Sequence, residues 1–397
     1  MYSMESELLY QGECVPGMEF TPEALPIFAA SAFTWGNVSE ARKGYAEMRD
    51  DKNYGYNRSA NPNRQALGEA ISYLEGGEYT EICSSGMGAI SATLFSCLKA
   101  GDHAVYGACC YGETLEIFSD VLANCGVEST PVNFSDMEAV KAAIRPNTKV
   151  LYCEICSNPN MDMADIDAAA KLAHENGALL IVDNTFTTPV AIRPIEHGAD
   201  LVINSLTKFL NGHSDCVQGS VTGKYEMVRR KIHNMASNFG TTGDAFSSWL
   251  VLRSMKTAEM RIKKQLKNAA LLAAALEKDP HVKGVNHPSL KSFPQHETAV
   301  RMFGSEDMMT PMISIYVEED LEKMDEFFNR LHFGHYVPSL GGVRTSLQHP
   351  VTSSHSHMPD EERRKVGVTP GMLRISVGCE EAEDLIADFT QALKAFD

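Results

Sequence analysis

The sequence has few positive charges and no long hydrophobic run. Its 397 residues contain 35 Lys and Arg against 52 Asp and Glu, which gives a formal net charge of −17. Such a chain would repel a phosphate backbone, so we do not expect nucleic-acid binding. No apolar run approaches the ~18 residues that a membrane span needs. The N-terminal segment also lacks the apolar core of a secretory signal. We therefore expect a cytoplasmic protein without membrane contacts.

Cysteine is too sparse for a disulfide scaffold, since the chain has only 10. One C-x-x-C pair, Cys153 and Cys156, ends the apolar run "KVLYCEIC". A separation of three along a strand points two side chains to opposite faces, and no second pair completes a zinc site. His355 and His357 are close in sequence, but no acidic ligand motif accompanies them. We expect no metal site.

The middle of the chain alternates strand and helix patterns. The runs "YTEICSS", "DHAVYG", "KVLYCEI", "ALLIVDN" and "DLVINSL" predict strands. Helical patterns lie between several of them, such as "GMGAISATLFSCLKAG", which Gly101 should close. Strands separated by helices predict a mostly parallel, doubly wound α/β sheet. Ligands of such sheets bind outside the carboxyl ends of the strands.

The length of the chain predicts more than one structural unit. Residues 1–60 have no strong periodicity and are interpreted as an arm that packs on another surface. Residues 61–250 contain the alternating pattern and should form a large domain. From about Trp249 a long helical period begins, followed by "MISIYV" and "LRISVG". Residues 251–397 are therefore predicted to form a linking helix and a smaller α/β domain.

Three polar features stand at predicted carboxyl ends of strands. The turn "CSSGMGA" suits a phosphate, although a capped helix with a closely packed glycine explains it equally well. Asp183 ends an apolar strand, where it needs a cation or a structural ion pair. Lys208 follows another apolar strand, so it is either a desolvated nucleophile or a solvated strand end. Taken together, a phosphate cradle, a carboxylate and an activated lysine are what pyridoxal phosphate requires. Lys208 would then hold the aldehyde, and Ser205 and Thr207 would donate hydroxyl groups to the phosphate.

Eight stretches, taken in order from about Tyr54 to Asp388, carry a resemblance to a known family. They are "YGYNRSANPNRQALGEAISYLEGGE", "SSGMGAISATL", "GDHAVYGACCYGET", "NPN", "VDNTF", "NSLTKFLNGHSD", "SLGGVRTSLQHPVTSSHSHMPDEER" and "LRISVGCEEAEDLIAD". The sequence resembles the Cys/Met-metabolism pyridoxal-phosphate enzymes, which include methionine γ-lyase, cystathionine γ-lyase, cystathionine γ-synthase and O-acetylhomoserine sulfhydrylase. The resemblance implies the fold type I, aminotransferase-like architecture and a homotetramer of tight dimers.

The resemblance also implies roles for individual residues. Lys208 would be the Schiff-base lysine and proton shuttle, and Asp183 the partner of the ring nitrogen. The phosphate would be held by Gly86, Met87, Ser205 and Thr207, and by Tyr56 and Arg58 of the neighbouring subunit. Tyr111 would stack on the cofactor ring and Asn158 would contact its hydroxyl. Ser339 and Arg374 would bind the substrate α-carboxylate, a task that suits a planar guanidinium.

The implied reaction is γ-elimination from a γ-substituted L-amino acid, with release of a 2-oxo acid, ammonia and a thiol. Lys208 would remove the protons, and Tyr111 would protonate the departing thiolate. γ-Replacement by an incoming thiol is the alternative. A regulator or inactive protein of the same fold is a further alternative, against which the presence of Lys208, Asp183, Tyr111 and Arg374 argues.

The sequence departs from its relatives around the distal end of the substrate. Gly55 replaces an acid of the cystathionine enzymes, while Glu116 and Arg344 stand at their arginine and glutamate positions. Glu113 replaces a cysteine of methionine γ-lyases, or a glycine of most other members. These departures weaken cystathionine as the substrate and leave methionine, homocysteine or a cationic-tailed amino acid. Alternatively, Glu113 or Glu116 forms a structural salt bridge with Arg344.

Overall fold

The structure is a computed structural model that describes residues 3–13, 22–48, 51–356 and 358–397, with the side chain of Glu362 excepted. His357, one of the two histidines considered above, lies outside these ranges.

Strands and helices alternate through most of the described chain. The strands are β1 (Tyr79–Cys83), β2 (His103–Gly107), β3 (Glu128–Val132), β4 (Thr148–Glu154), β5 (Leu179–Asp183), β6 (Leu201–Ser205), β7 (Gly219–Gly223), β8 (Gly284–Asn286), β9 (Met312–Tyr316), β10 (His335–Tyr336), β11 (Ser346–Gln348) and β12 (Met372–Ser376). The α-helices are α1 (Met4–Leu8), α2 (Val38–Met48), α3 (Pro62–Glu75), α4 (Gly86–Cys97), α5 (Gly112–Glu116), α6 (Leu122–Asn124), α7 (Met137–Ala143), α8 (Ile166–Glu175), α9 (Thr188–Ala191), α10 (Tyr225–Met227), α11 (His233–Phe239), α12 (Ala245–Met255), α13 (Ala258–Leu276), α14 (His296–Phe303), α15 (Leu321–Arg330), α16 (Asp360–Lys365) and α17 (Ala382–Leu393). Two π-helical turns, Ile117–Val121 and Val228–Ile232, follow α5 and α10.

The large sheet has the strand order β1-β7-β6-β5-β4-β2-β3. Only β7 runs against its neighbours, so the other six strands point in one direction. This arrangement confirms the predicted mostly parallel α/β fold, and the five predicted strands are all present. The pattern did not reveal β3 and β7, because "ESTPV" and "GSVTG" contain no apolar run.

Apolar residues cover both faces of this sheet. In β5, Leu180 and Val182 pack in one hydrophobic cluster and Ile181 packs in the other, as the period of two in a strand requires. The first cluster includes residues of α3, α8, α12 and α13, and the second includes residues of α4 and α11. Because both faces are covered by helices, the accessible part of the sheet is the edge where its strands end.

The second sheet has the order β10-β11-β12-β9-β8. Its strands lie within the predicted smaller domain, whose boundaries remain a prediction. The single linking helix predicted from about Trp249 is wrong, because α12 ends at Met255 and α13 begins at Ala258. Thr257 interrupts the run with φ −118° and ψ 7°. Periodicity did not reveal this break, since the apolar spacing continues across it.

Two local predictions also need correction. The helix expected to close at Gly101 ends at Cys97, because Leu98 is already extended at φ −122° and ψ 144°. Cys153 and Cys156 do not face opposite sides of the sheet; both pack in the first cluster, since β4 ends at Glu154 and its alternation stops there.

Within the described ranges, no group of three His, Cys, Asp or Glu side chains is arranged to hold a metal. No helix in these ranges is long and apolar enough to cross a membrane.

Candidate active site

A cavity of about 720 Å³ opens at the carboxyl ends of the parallel strands. It brings together most of the predicted site residues: Gly86, Met87, Tyr111, Glu113, Asn158, Asp183, Ser205, Thr207, Lys208, Ser339 and Arg374. Strands β1, β5 and β6 each end at this cavity, which explains why separate sequence segments meet there.

The N-terminus of α4 forms one wall of the cavity. The Ser85 side chain caps the helix by accepting a hydrogen bond from the Gly88 N–H at 2.9 Å. In the described chain, the N–H groups of Gly86 and Met87 have no acceptor. A Cβ atom at Gly86 would lie 3.0 Å from the Ser205 Cβ, so glycine allows that hydroxyl residue to approach. Free N–H groups at a helix N-terminus beside a hydroxyl form a suitable cradle for a phosphate.

Lys208 lies three residues beyond β6, on the floor of the cavity. Its Nζ donates a hydrogen bond to the Ser339 Oγ at 3.1 Å. Burial lowers the lysine pKa to about 8; the Arg374 charge lowers it further, and the Glu113 carboxylate opposes the shift. Gly341, with φ +81°, lets the Ser339 loop pass close to the Lys208 backbone, because a Cβ there would lie 2.9 Å from the Lys208 Cα. Lys208 is thus a desolvated amine rather than a solvated strand end.

Asp183 is the last residue of β5 and is held by neutral donors. Its Oδ1 accepts a hydrogen bond from the Thr185 N–H at 2.9 Å, and its Oδ2 accepts one from the Tyr152 hydroxyl at 3.4 Å. Burial raises the Asp183 pKa despite these donors. The structural ion pair considered above is absent among the residues described. A pyridinium nitrogen is the type of cationic donor that this carboxylate lacks.

Arg374 places a buried guanidinium across the cavity. It lies on β12, and its Nη1 donates a hydrogen bond to the Asn158 Oδ1 at 2.8 Å. Its Cζ lies 5.9 Å from the centre of the Phe186 ring. Burial lowers the pKa of Arg374 to about 10, and the Glu154 carboxylate partly offsets that shift. A planar guanidinium held in this way is suited to a carboxylate ligand.

Tyr111 precedes α5 at the mouth of the cavity and is 39% exposed. Burial, followed by the negative charge of Glu113, raises its pKa to about 12. Glu113 and Glu116 are themselves exposed, although both line the cavity.

Arg344 is not brought to the same cavity. It is exposed and lines an adjoining cavity of about 500 Å³, which shares Ser339 with the first. The salt bridge considered between Arg344 and Glu113 or Glu116 does not form between these described side chains.

Sequence reasoning missed Glu154, which ends β4 beside Asp183 in the register of the sheet. Its Oε1 accepts a hydrogen bond from the Tyr111 N–H at 2.7 Å. Burial, reinforced by the charge of Asp183, raises the Glu154 pKa well above its usual range. An acid at the end of an apolar run was the signal for Asp183, and the same signal was present in "KVLYCE".

Tyr56 and Arg58 do not line the cavity of their own chain. The Arg58 Nη1 donates hydrogen bonds to the Ser237 backbone oxygen at 2.7 Å and to the Ser237 Oγ at 3.1 Å. Its Cζ lies 5.5 Å from the centre of the Tyr56 ring, and Tyr56 is 50% exposed. Their contribution to a neighbouring subunit remains a prediction.

The fold and the chemistry of the cavity fit one kind of cofactor. A desolvated amine, free N–H groups at a helix terminus and a half-buried carboxylate without a cation lie at one edge of a doubly wound sheet. Together they define a pyridoxal-phosphate enzyme of fold type I.

Comparison with known proteins supports the assignment as a pyridoxal-phosphate enzyme. Residues 9–394 match the family described as Cys/Met metabolism PLP-dependent enzyme, and the chain belongs to this family. It is 40% identical over 372 residues to an L-methionine gamma-lyase of Porphyromonas gingivalis, covering 93% of this chain and 92% of the relative. It is 41% identical over 341 residues to a cystathionine beta-lyase of Bacillus subtilis, covering 86% of each. The crystal structure of cystathionine gamma-lyase from Lactobacillus plantarum complexed with L-serine superposes with a TM-score of 0.91 at 31% identity, covering 100% of this chain and 99% of that one. The chain is therefore a pyridoxal-phosphate-dependent lyase.

Proposed function

We propose that the protein cleaves the carbon–sulfur bond of a γ-substituted L-amino acid by γ-elimination, as a methionine γ-lyase does. With methionine and one water molecule, the products would be 2-oxobutanoate, ammonia and methanethiol. The observation that carries the proposal is the cavity in which the Lys208 amine and the Arg374 guanidinium both face the space beside Tyr111. A protonated phenol that can donate its proton, a neutral amine that can accept one and a carboxylate binder are the groups that this reaction needs.

The cofactor would be held at both ends. Lys208 would attach it through Nζ, and Asp183 would accept the hydrogen bond of its ring nitrogen. The N–H groups of Gly86 and Met87 and the hydroxyl groups of Ser205 and Thr207 would bind its phosphate, while Asn158 would contact the ring hydroxyl. Pyridoxal phosphate supplies an electron sink that weakens the bonds around the Cα of an attached amino acid.

The remaining groups would bind the substrate and move its protons. Arg374 and Ser339 would bind the α-carboxylate and so orient Cα toward Lys208. The Lys208 Nζ, with a pKa of about 8, can exist as a neutral amine near neutral pH and take protons from Cα and Cβ. Tyr111, with a pKa of about 12, keeps its proton at neutral pH and would deliver it to the departing thiolate.

Cystathionine lyase activity is the second candidate. The support is that relatives in Bacillus subtilis named cystathionine beta-lyase and cystathionine gamma-lyase are 41% and 39% identical to this chain. Against it, Arg344 and Glu116 reverse the charges of cystathionine enzymes at two positions. γ-Replacement remains the alternative outcome: a thiol admitted to the same cavity would take the place of the departing γ-substituent at Cγ, and the product would be a thioether amino acid rather than a 2-oxo acid.

We also propose that the protein is a cytoplasmic homotetramer built from tight dimers. Tyr56 and Arg58 would complete the phosphate site of the neighbouring subunit. The support is that both lie outside their own cavity, while Tyr56 remains half exposed.

A substrate panel tests the proposed reaction. Purified holoenzyme would be incubated separately with L-methionine, L-homocysteine, L-cystathionine and O-acetyl-L-homoserine, the last with and without a thiol. The products would be identified as keto acid, ammonia, thiol or thioether. We expect 2-oxobutanoate, ammonia and methanethiol from methionine. Faster turnover of cystathionine would favour the second candidate, and thioether formation without keto acid would contradict elimination.

A further inference from the structure

Glu154 is a half-buried acid at the active site, and the proposed reaction has no use for it. It ends β4, lines the cavity and lies beside Asp183, so two carboxylates occupy adjacent strand ends. One of its oxygens, Oε1, accepts the Tyr111 N–H at 2.7 Å. The other, Oε2, is buried and makes no hydrogen bond of good geometry, although the Asn158 N–H acts on the carboxylate and lowers its pKa.

This placement is unfavourable for stability alone. A buried carboxylate needs donors or a cation, and its strand neighbour is another acid. The charge of Arg374 acts on Glu154, but the Arg374 Nη1 donates its hydrogen bond to the Asn158 Oδ1. An apolar side chain at this strand end would avoid the desolvation penalty of a carboxylate. The presence of an acid is therefore explained by the group that it binds.

The group that it holds is the backbone of Tyr111. This residue lies four positions beyond β2, outside the sheet, and its side chain makes no hydrogen bond that would cap α5. Its carbonyl oxygen accepts the N–H groups of Thr114 and Leu115, which are contacts within its own helix. The hydrogen bond to Glu154 is therefore the polar contact that links the Tyr111 backbone to the sheet, across 43 residues of sequence.

We propose that Glu154 is a positioning residue that fixes Tyr111 over the cavity by accepting its backbone N–H. The proposal rests on the proposed function only in that Tyr111 is taken to face the cofactor ring and the leaving group. Because the role requires an acceptor oxygen rather than a charge, glutamine should replace Glu154 and alanine should not.

The test compares holoenzymes carrying Glu154→Gln and Glu154→Ala. Glu75 provides a matched control, since it is a buried acid outside the cavity that accepts hydrogen bonds from Asn184 and Asn204. The measurements are the visible circular dichroism of the bound cofactor, kcat and KM separately, and the melting temperature. If the alanine variant does not fold, Glu154→Met fills the same space without an acceptor oxygen and takes its place.

For Glu154→Ala we expect an altered cofactor dichroism and a kcat reduced by about tenfold or more, with KM changed less. Glu154→Gln should restore the dichroism and bring kcat to within about threefold of the parent. Glu75→Ala should lower the melting temperature without changing the dichroism. Unchanged dichroism and kcat in Glu154→Ala, or equal losses in the glutamine and alanine variants, would overturn the proposal. Absence of lyase activity in the parent would refute the proposed function, whereas the dichroism would still test the position of Tyr111.

Discussion

Replacing Glu113 with glutamine tests whether this unusual acid selects the substrate. Glu113 lines the cavity beside Tyr111; its charge acts on Lys208, but no salt bridge with Glu113 is present in the described chain. A substrate with a basic tail would supply a cation. The variant should therefore lose kcat/KM for S-(2-aminoethyl)-L-homocysteine and keep it for L-methionine and for the size-matched S-propyl-L-homocysteine.

The exposure of Glu113 sets the expected size of this loss. Exposed charge pairs contribute about 0.2–1 kcal/mol, so the selective loss should be about 1.4- to fivefold. If binding desolvates the pair, a charge-assisted hydrogen bond contributes about 1.5–3 kcal/mol, and the loss would exceed about tenfold. Steady-state kinetics with the three substrates measure this difference. Glu116→Gln is the control, since Glu116 is also exposed and lines the same cavity. Equal effects of Glu113→Gln on all three substrates would refute substrate recognition by Glu113.

Three further predictions concern the cofactor site. Gly86→Ala should weaken cofactor binding by about tenfold. The Cβ of the new alanine would lie 3.0 Å from the Ser205 Cβ and push Ser205 away from the phosphate site. Equilibrium dialysis measures the change in cofactor affinity. The rate at which cofactor-free protein captures pyridoxal phosphate should rise with pH and level off above about pH 8. The reason is that the pKa of Lys208 is lowered to about 8, so its neutral amine predominates above that pH. Stopped-flow absorbance measures this capture rate. Mixing inactive Arg58→Ala and Lys208→Ala subunits should restore some activity, because one intact hybrid site forms when a dimer shares its sites.

Each of these predictions has a clear contrary result. Gly284→Ala is the control for the glycine, because its Cβ would meet only ordinary contacts at 3.5 Å; equal weakening there would remove the cradle argument. A capture rate that still climbs steeply between pH 9 and 10 would mean that the attacking amine has the pKa of an exposed lysine. Lack of recovery after demonstrated subunit exchange would count against a shared site.

The positions of Asp183 and Lys208 could be predicted because each follows an apolar run. Strand ends of a parallel sheet meet at one edge, so local patterns sufficed to bring these residues together. Glu154 met the same condition, since it also ends an apolar run that forms a strand. The adjacency of Lys208 and Ser339 depends on a contact across 131 residues, which no local pattern contains.

The charges at the mouth of the cavity were the least predictable part of the site. The sequence shows that Glu116 and Arg344 reverse two charges of related enzymes, but it does not show whether the two side chains meet. They line different cavities in the structure, and Ser339 lines both of these cavities. Exposure is a tertiary property, so local sequence does not show that Glu113 and Glu116 are both exposed. The break between α12 and α13 was missed for a related reason: it depends on backbone geometry at Thr257 rather than on apolar spacing.

Borohydride reduction of the holoenzyme tests the central claim most directly. The yellow protein should lose its visible absorbance on reduction, and peptide mass spectrometry should then find the reduced cofactor on Lys208. Lys208→Ala provides the control and should carry no label. A label on a different lysine of the parent protein, or none at all, would contradict the assignment of Lys208 and the active site built around it.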